Sequence, residues 1–168
     1  MEACEVCGFE WDAVVAADIP PRLRDAARGF ADVLRGSPAV IGVRREPTTW
    51  SAMEYSAHAR DVMLNLRDRI VLGLAEDNPT PHAMFGDLRI ASGLYAGDDP
   101  ARLATEIDVA AGLLARTVEA LSPDQLQRPI FYGWPRAATR TLTWVAAQAL
   151  HEAEHHLGDA RAQSTPDA

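Results

Sequence analysis

The stretch from Thr141 to His151 (TLTWVAAQALH) carries no formal charge when histidine is counted as neutral. A surface helix sets a charged face against an apolar one. A helix that stays uncharged for about three turns must be enclosed nearly all round. The pattern predicts a last helix over 140–163 at the centre of a helical bundle, and the rest of the chain must supply the helices that cover it.

Three further helical segments are legible. Pro20-Pro21 opens the first, over 20–36, with Leu23, Ala26, Ala27, Phe30, Ala31, Val33 and Leu34 near one face and Gly36-Ser37-Pro38 as its stop. Residues 38–49 read as a connection. The second helix, 51–75, opens on a capping box, Ser51-Ala-Met-Glu54, flanked by a Trp50–Tyr55 hydrophobic staple. The third, 100–121, has Asp99 as cap and Pro100 at its first position. Between them, residues 78–98 are broken by Pro79, Pro81, Gly86, Gly93 and Gly97, with a short helix over Asp87–Tyr95. Ser122–Gln125 is a second capping box and predicts a helical turn. Residues 129–137 (PIFYGWPRA) read as a bent extended loop or small hairpin.

The expected fold class is all-α: a four-helix bundle with one long crossover. Residues 1–19 form an irregular leader, 20–163 the bundle and 164–168 a frayed tail. At 168 residues the chain is one domain of ordinary size. Its net charge of −8 argues against nucleic acid, which needs clustered positive charge. No run of 18 apolar residues predicts a membrane span, and the acidic start MEACEVCGFEWD does not read as a signal peptide, so a cytoplasmic location is expected.

Chemistry concentrates in the histidines. His151 and His155 lie one turn apart on one helical face, a spacing that lets two imidazoles hold one metal ion. The bland alternative is a pair of satisfied histidines, but the uncharged run before them says the helix is buried, and buried histidines need partners. His151-Glu152-Ala-Glu-His155 also fits the zinc-protease pattern H-E-x-x-H. The third ligand of the longer form would then fall on Arg161, and no Glu follows Glu154, so that reading is rejected. A ferritin-like di-iron site fails on ligand count, since there is no second Glu-x-x-His motif. The upstream candidate is His58, seven residues after the Ser51 cap. It reaches the same end of the bundle if the second and last helices are antiparallel neighbours. His156 is turned about 100° from His155 and is expected to stand outside the site.

Trp50-Ser51…Glu54…His58…Asp61, with His151-x-x-x-His155-His156 on the closing helix, resembles the DinB/YfiT-like superfamily over roughly residues 20–163. The resemblance implies a four-helix bundle with a divalent metal held by three histidines, here His58, His151 and His155. The ion implied is Zn²⁺, with Ni²⁺ as the alternative. It also implies enzymes that use a low-molecular-weight thiol such as mycothiol as co-substrate: S-transferases, isomerases or hydrolases acting on small molecules. The other class is a non-catalytic metal-binding or small-molecule-binding protein.

Glu152, Glu154 and Asp61 are the candidate acids and bases. Tyr132, Trp134, Arg136 and Arg140 are candidates for a pocket mouth, where arginine suits a carboxylate; loop packing is their plainer explanation. Cys4-Glu-Val-Cys7-Gly8 resembles half a zinc knuckle and predicts a second metal site. Its two missing ligands could come from His82, His156 or a dimer mate, or the pair could simply be two reduced thiols.

Overall fold

The computed structural model describes residues 2–164. Four long helices form the body: α1 (Ile19–Leu34), α3 (Ala52–Ala75), α5 (Pro100–Glu119) and α7 (Leu142–Ser164). Three short helices lie between them: α2 (Pro38–Ile41), α4 (Gly86–Ala91) and α6 (Pro123–Leu126). The expected boundaries of the four long helices hold to within two residues; residues 140 and 141 belong to a strand, and the short helix expected over Asp87–Tyr95 ends at Ala91. The expected tail beyond Ser164 lies outside the described residues.

The local signals act as their chemistry requires. Ser51 Oγ accepts from the Glu54 amide at 3.2 Å, and the Ser51 amide donates back to Glu54 Oε2 at 2.8 Å. The Trp50 and Tyr55 rings lie 5.3 Å apart and close the staple. Asp99 caps α5 through the Arg102 amide at 2.9 Å. The connection 38–49 contains the one-turn helix α2, and the segment after Pro81 forms α4. The 129–137 segment opens a hairpin: β1 (Pro129–Tyr132) pairs antiparallel with β2 (Ala138–Thr141), which runs directly into α7.

Each long helix packs on two others: α1 on α5 and α7, α3 on α5 and α7. Helices α3 and α7 are antiparallel. The start of α3 meets the middle of α7 through His58 and His156, while Gly73 near the end of α3 sits against Leu142 at the start of α7. From Trp144 to His151, α7 is buried at every residue, so the uncharged run lies where its composition demands.

The leader is part of this body. Its 3₁₀ turns, Trp11–Ala13 and Ala16–Asp18, pack on α7 and α1. Trp11 is only 3% exposed and stacks 6.0 Å from Trp144. No helix among the described residues is long and apolar enough to cross a membrane.

Candidate metal centre

His151 and His155 share a donor group, as their spacing allows, and His58 stands in another. His58, His151 and His155 are divided between two donor groups. His58 joins Glu152 and His156, with one ligand atom from each lying within 4.8 Å of the others. His151 and His155 join Cys4 and Cys7 within the same limit. The physical reason is azimuth. Positions 151 and 155 share one stripe of α7, and 152 and 156 share the next, about 100° round. The second stripe faces α3. His156, expected to point away, is therefore the residue that meets His58, with ring centroids 4.8 Å apart.

The first group is held from behind. His156 Nδ1 lies 2.9 Å from Asp159 Oδ2, and its Nε2 lies 3.1 Å from Glu152 Oε2. A carboxylate behind an imidazole fixes the ring and its tautomer, as behind metal-bound histidines. Glu152 Oε1 accepts from Gln148 Nε2 at 2.5 Å, and Gln148 Oε1 accepts from Trp11 Nε1 at 2.6 Å. His58 is buried, and its Nδ1 has no hydrogen-bond partner. Gly86 lies against this ring: a Cβ there would stand 2.7 Å from His58 Cε1. Two imidazoles, one with an orphaned buried nitrogen, and a carboxylate fit a divalent ion.

The electrostatics agree with a site built for a cation. Burial pushes His58 down to about 4, and the neighbouring His156 reinforces this, so the ring is neutral at physiological pH. Burial opposes charge on His156 too, but Asp159 and Glu152 outweigh it and raise the imidazole to about 9. Glu152 is held well below the usual carboxylate range: burial would raise it, but His151 and His156 prevail. Without metal, the centre is thus an imidazolium beside a carboxylate. An incoming ion must displace the His156 proton. Between pH 9 and 6.5, the apparent metal affinity of this centre should fall by about tenfold per pH unit. His58 adds no proton in that window. Competition titrations at stepped pH check this; a flat profile would mean that His156 is not a ligand.

The remaining sequence candidates are sorted by their partners. Asp61 is saturated: Arg60 Nε donates at 2.9 Å, Arg89 Nη1 at 2.6 Å and Tyr95 OH at 3.0 Å. It braces α3 against the crossover. Glu154 is clamped by Arg22 at 2.9 and 2.7 Å on the α1 side. Of the acid–base candidates only Glu152 stands in one of the donor groups. Tyr132 and Trp134 line the cavity over His58; Arg136 and Arg140 do not. Arg140 pairs with Glu2 at 2.5 Å and lies over Trp144. The pocket's arginine is instead Arg69, whose Nη1 donates to Tyr132 OH at 2.5 Å. Arg69 and Asp159 were not legible from the sequence as parts of the site, whereas Gln148 was, as a neighbour of the histidines on the last helix. The i, i+4 run Gln148–Glu152–His156 was the available signal.

A cavity of about 770 Å³ opens over His58 and Glu152. Trp50, Arg69, His82, Phe85 and Trp134 are among its walls. Phe85 and Trp134 are large apolar side chains left exposed there. A donor group with protein on one side and a cavity on the other defines the class: a helical bundle carrying an open, metal-competent centre.

The chain belongs to the DinB superfamily, whose family model matches residues 22–160. YfiT from Bacillus subtilis, described as a probable metal-dependent hydrolase with an unusual four-helix bundle topology, has a similar structure. The TM-score is 0.77 at 14% identity, covering 98% of this chain and 90% of YfiT. A mycothiol-dependent maleylpyruvate isomerase matches with a TM-score of 0.65 at 14% identity. That match covers 95% of this chain and 63% of the isomerase, less than two thirds of its length. No curated protein is significantly similar in sequence.

Proposed function

We propose that the protein is a divalent-metal-dependent enzyme that activates a thiol for attack on a small electrophilic substrate. The observation that carries this reading is an open three-donor set, His58, Glu152 and His156, beneath a cavity of ligand size. A closed structural site would leave no such room. Similarity in fold to a mycothiol-dependent isomerase supports a low-molecular-weight thiol as co-substrate.

A bound ion would supply Lewis acidity and lower the pKa of a thiol or water beside it. The chain's own residues do the rest. Asp159 and Gln148 hold the His156 and Glu152 donors in place. Arg69 offers the anionic part of a thiol or substrate a guanidinium already oriented by Tyr132 and the His82 carbonyl. Trp50, Phe85 and Trp134 supply apolar walls that exclude water from the reacting atoms.

The test is turnover of the metal-loaded protein with mycothiol and a panel of small electrophiles, maleylpyruvate included. Product conjugation or isomerisation is read by mass spectrometry and absorbance. Turnover should require both metal and thiol. Metal-dependent hydrolysis without thiol would move the reading to a hydrolase. Full metal loading with no turnover on any substrate would favour a binding protein.

A further inference from the structure

The second donor group lies outside that centre. Cys4 and Cys7 sit on a tight turn in which the Gly8 amide donates to the Cys4 carbonyl at 2.8 Å and the Cys4 amide to the Phe9 carbonyl at 2.8 Å. Gly8 has φ of 73°, a left-handed conformation that glycine adopts without strain. This brings both thiols to one side, against α7. His151 and His155 face them from adjacent turns, and all four ligand atoms lie within 4.8 Å of one another.

The histidines of this group lack the partners that buried imidazoles require. His151 is 2% exposed, and neither of its ring nitrogens has a hydrogen-bond partner. Its Nδ1 stands 3.7 Å from Glu152 Oε1, beyond hydrogen-bond reach. The His155 Nδ1 is also buried and unpartnered, while its Nε2 faces Asp159 Oδ2 at 3.5 Å. Aromatic rings close the surroundings: Phe9 at 5.2 Å and Trp11 at 4.8 Å from the His151 ring.

We infer that Cys4, Cys7, His151 and His155 form a second, closed Cys₂His₂ zinc site that clamps the N-terminal leader onto α7. Two thiolates and two imidazoles complete a tetrahedral shell with no open position, the composition of a structural site. In such a shell, donor atoms stand about 3.3–3.8 Å apart, so no pair in the group needs to close by more than about 1–1.5 Å. The site is separate in donors from His58, Glu152 and His156, and a single carboxylate, Asp159, backs one histidine of each. It also serves its neighbour. By fixing the leader, it fixes Trp11, which holds Gln148, which holds Glu152.

The test is metal analysis of the intact protein with Zn²⁺ and then Co²⁺. The wild type should bind two equivalents and show a thiolate-to-cobalt charge-transfer band. Cys4→Ser/Cys7→Ser should lose one equivalent and the band while keeping the other. His58→Ala should lose the other and keep the band. These opposite losses separate failure of this site from failure of the catalytic reading. A readout that needs no variant is alkylation of Cys4 and Cys7 in the folded wild type: slow with Zn²⁺ and at least about tenfold faster after chelation. One equivalent with no thiolate band, thiols alkylated equally with and without zinc, or a mass showing a Cys4–Cys7 disulfide in the purified protein would each overturn the inference.

Discussion

Replacing His156 with alanine is expected to empty the centre shared with His58 and Glu152. The variant leaves one imidazole and one carboxylate, too few donors to hold an ion against dialysis. The loss of affinity should exceed the about 10–100-fold that removing an outer-shell partner costs. His58→Ala should empty the centre as well, by a different route. His58 is neutral in the metal-free fold, so its removal breaks no ion pair. His156 is the charged partner of Glu152 and Asp159. Its removal should also destabilise the metal-free protein, by on the order of 3 kcal/mol. Metal content after dialysis and the melting temperature of the stripped protein measure the two effects separately. His155→Ala supplies the contrast, because it should leave this centre loaded. If His156→Ala keeps both of the equivalents that the wild type binds, the centre is built on the other stripe of α7.

That contrast marks where sequence reading stops. Capping boxes, prolines and the uncharged run define the helices, because each depends on neighbours a few residues away. They locate Ser51, Asp99 and Ser122 as helix starts, and the structure agrees. The antiparallel meeting of α3 and α7, which brings His58 to the last helix, was a condition of the sequence argument, and the structure meets it. Rotation of α7 about its axis was not legible. Helical spacing states that 151 pairs with 155 and 152 with 156, but both stripes carry a donor pair at i, i+4. Nothing within the helix says which one faces α3. The deciding contact comes from far away in sequence. The Cys4–Cys7 turn lies against the His151 stripe, and the Glu152 stripe is left for His58. The cysteine pair was itself the clue, since two thiols on a knuckle lack two ligands, and His151 and His155 are a matched pair. Tyr132 and Trp134, two aromatics of the hairpin segment, line the cavity. Arg136 and Arg140 do not: Arg136 lies in the turn between the strands, Arg140 is drawn to Glu2 and the Trp144 ring, and the pocket's arginine comes from α3.

The leader offers the sharpest test of how the two donor groups depend on the fold. Residues 2–18 precede the segment matched by the family model, yet Trp11 is as buried as the bundle core. Its ring packs on Trp144, Phe9 and His151, and its Nε1 donates to the almost fully buried Gln148. Trp11→Ala removes that packing and leaves a cavity between leader and α7. The expected cost is about 3–5 kcal/mol, a fall in melting temperature of roughly 10 °C for a domain of this size. Were the leader a loose appendage, the melting temperature would not move. Trp11→Phe isolates the hydrogen bond. It keeps a ring in the cavity but deprives Gln148 Oε1 of its donor, for about 1–3 kcal/mol. Freed at one end, Gln148 no longer fixes Glu152. The metal affinity of the His58–Glu152–His156 centre should then drop about 10–100-fold, although Trp11 touches none of its donors. Calorimetric titration of Trp11→Phe reads that drop directly. An unchanged affinity beside a lowered melting temperature would confine Trp11 to packing and leave Glu152 held by its histidines alone.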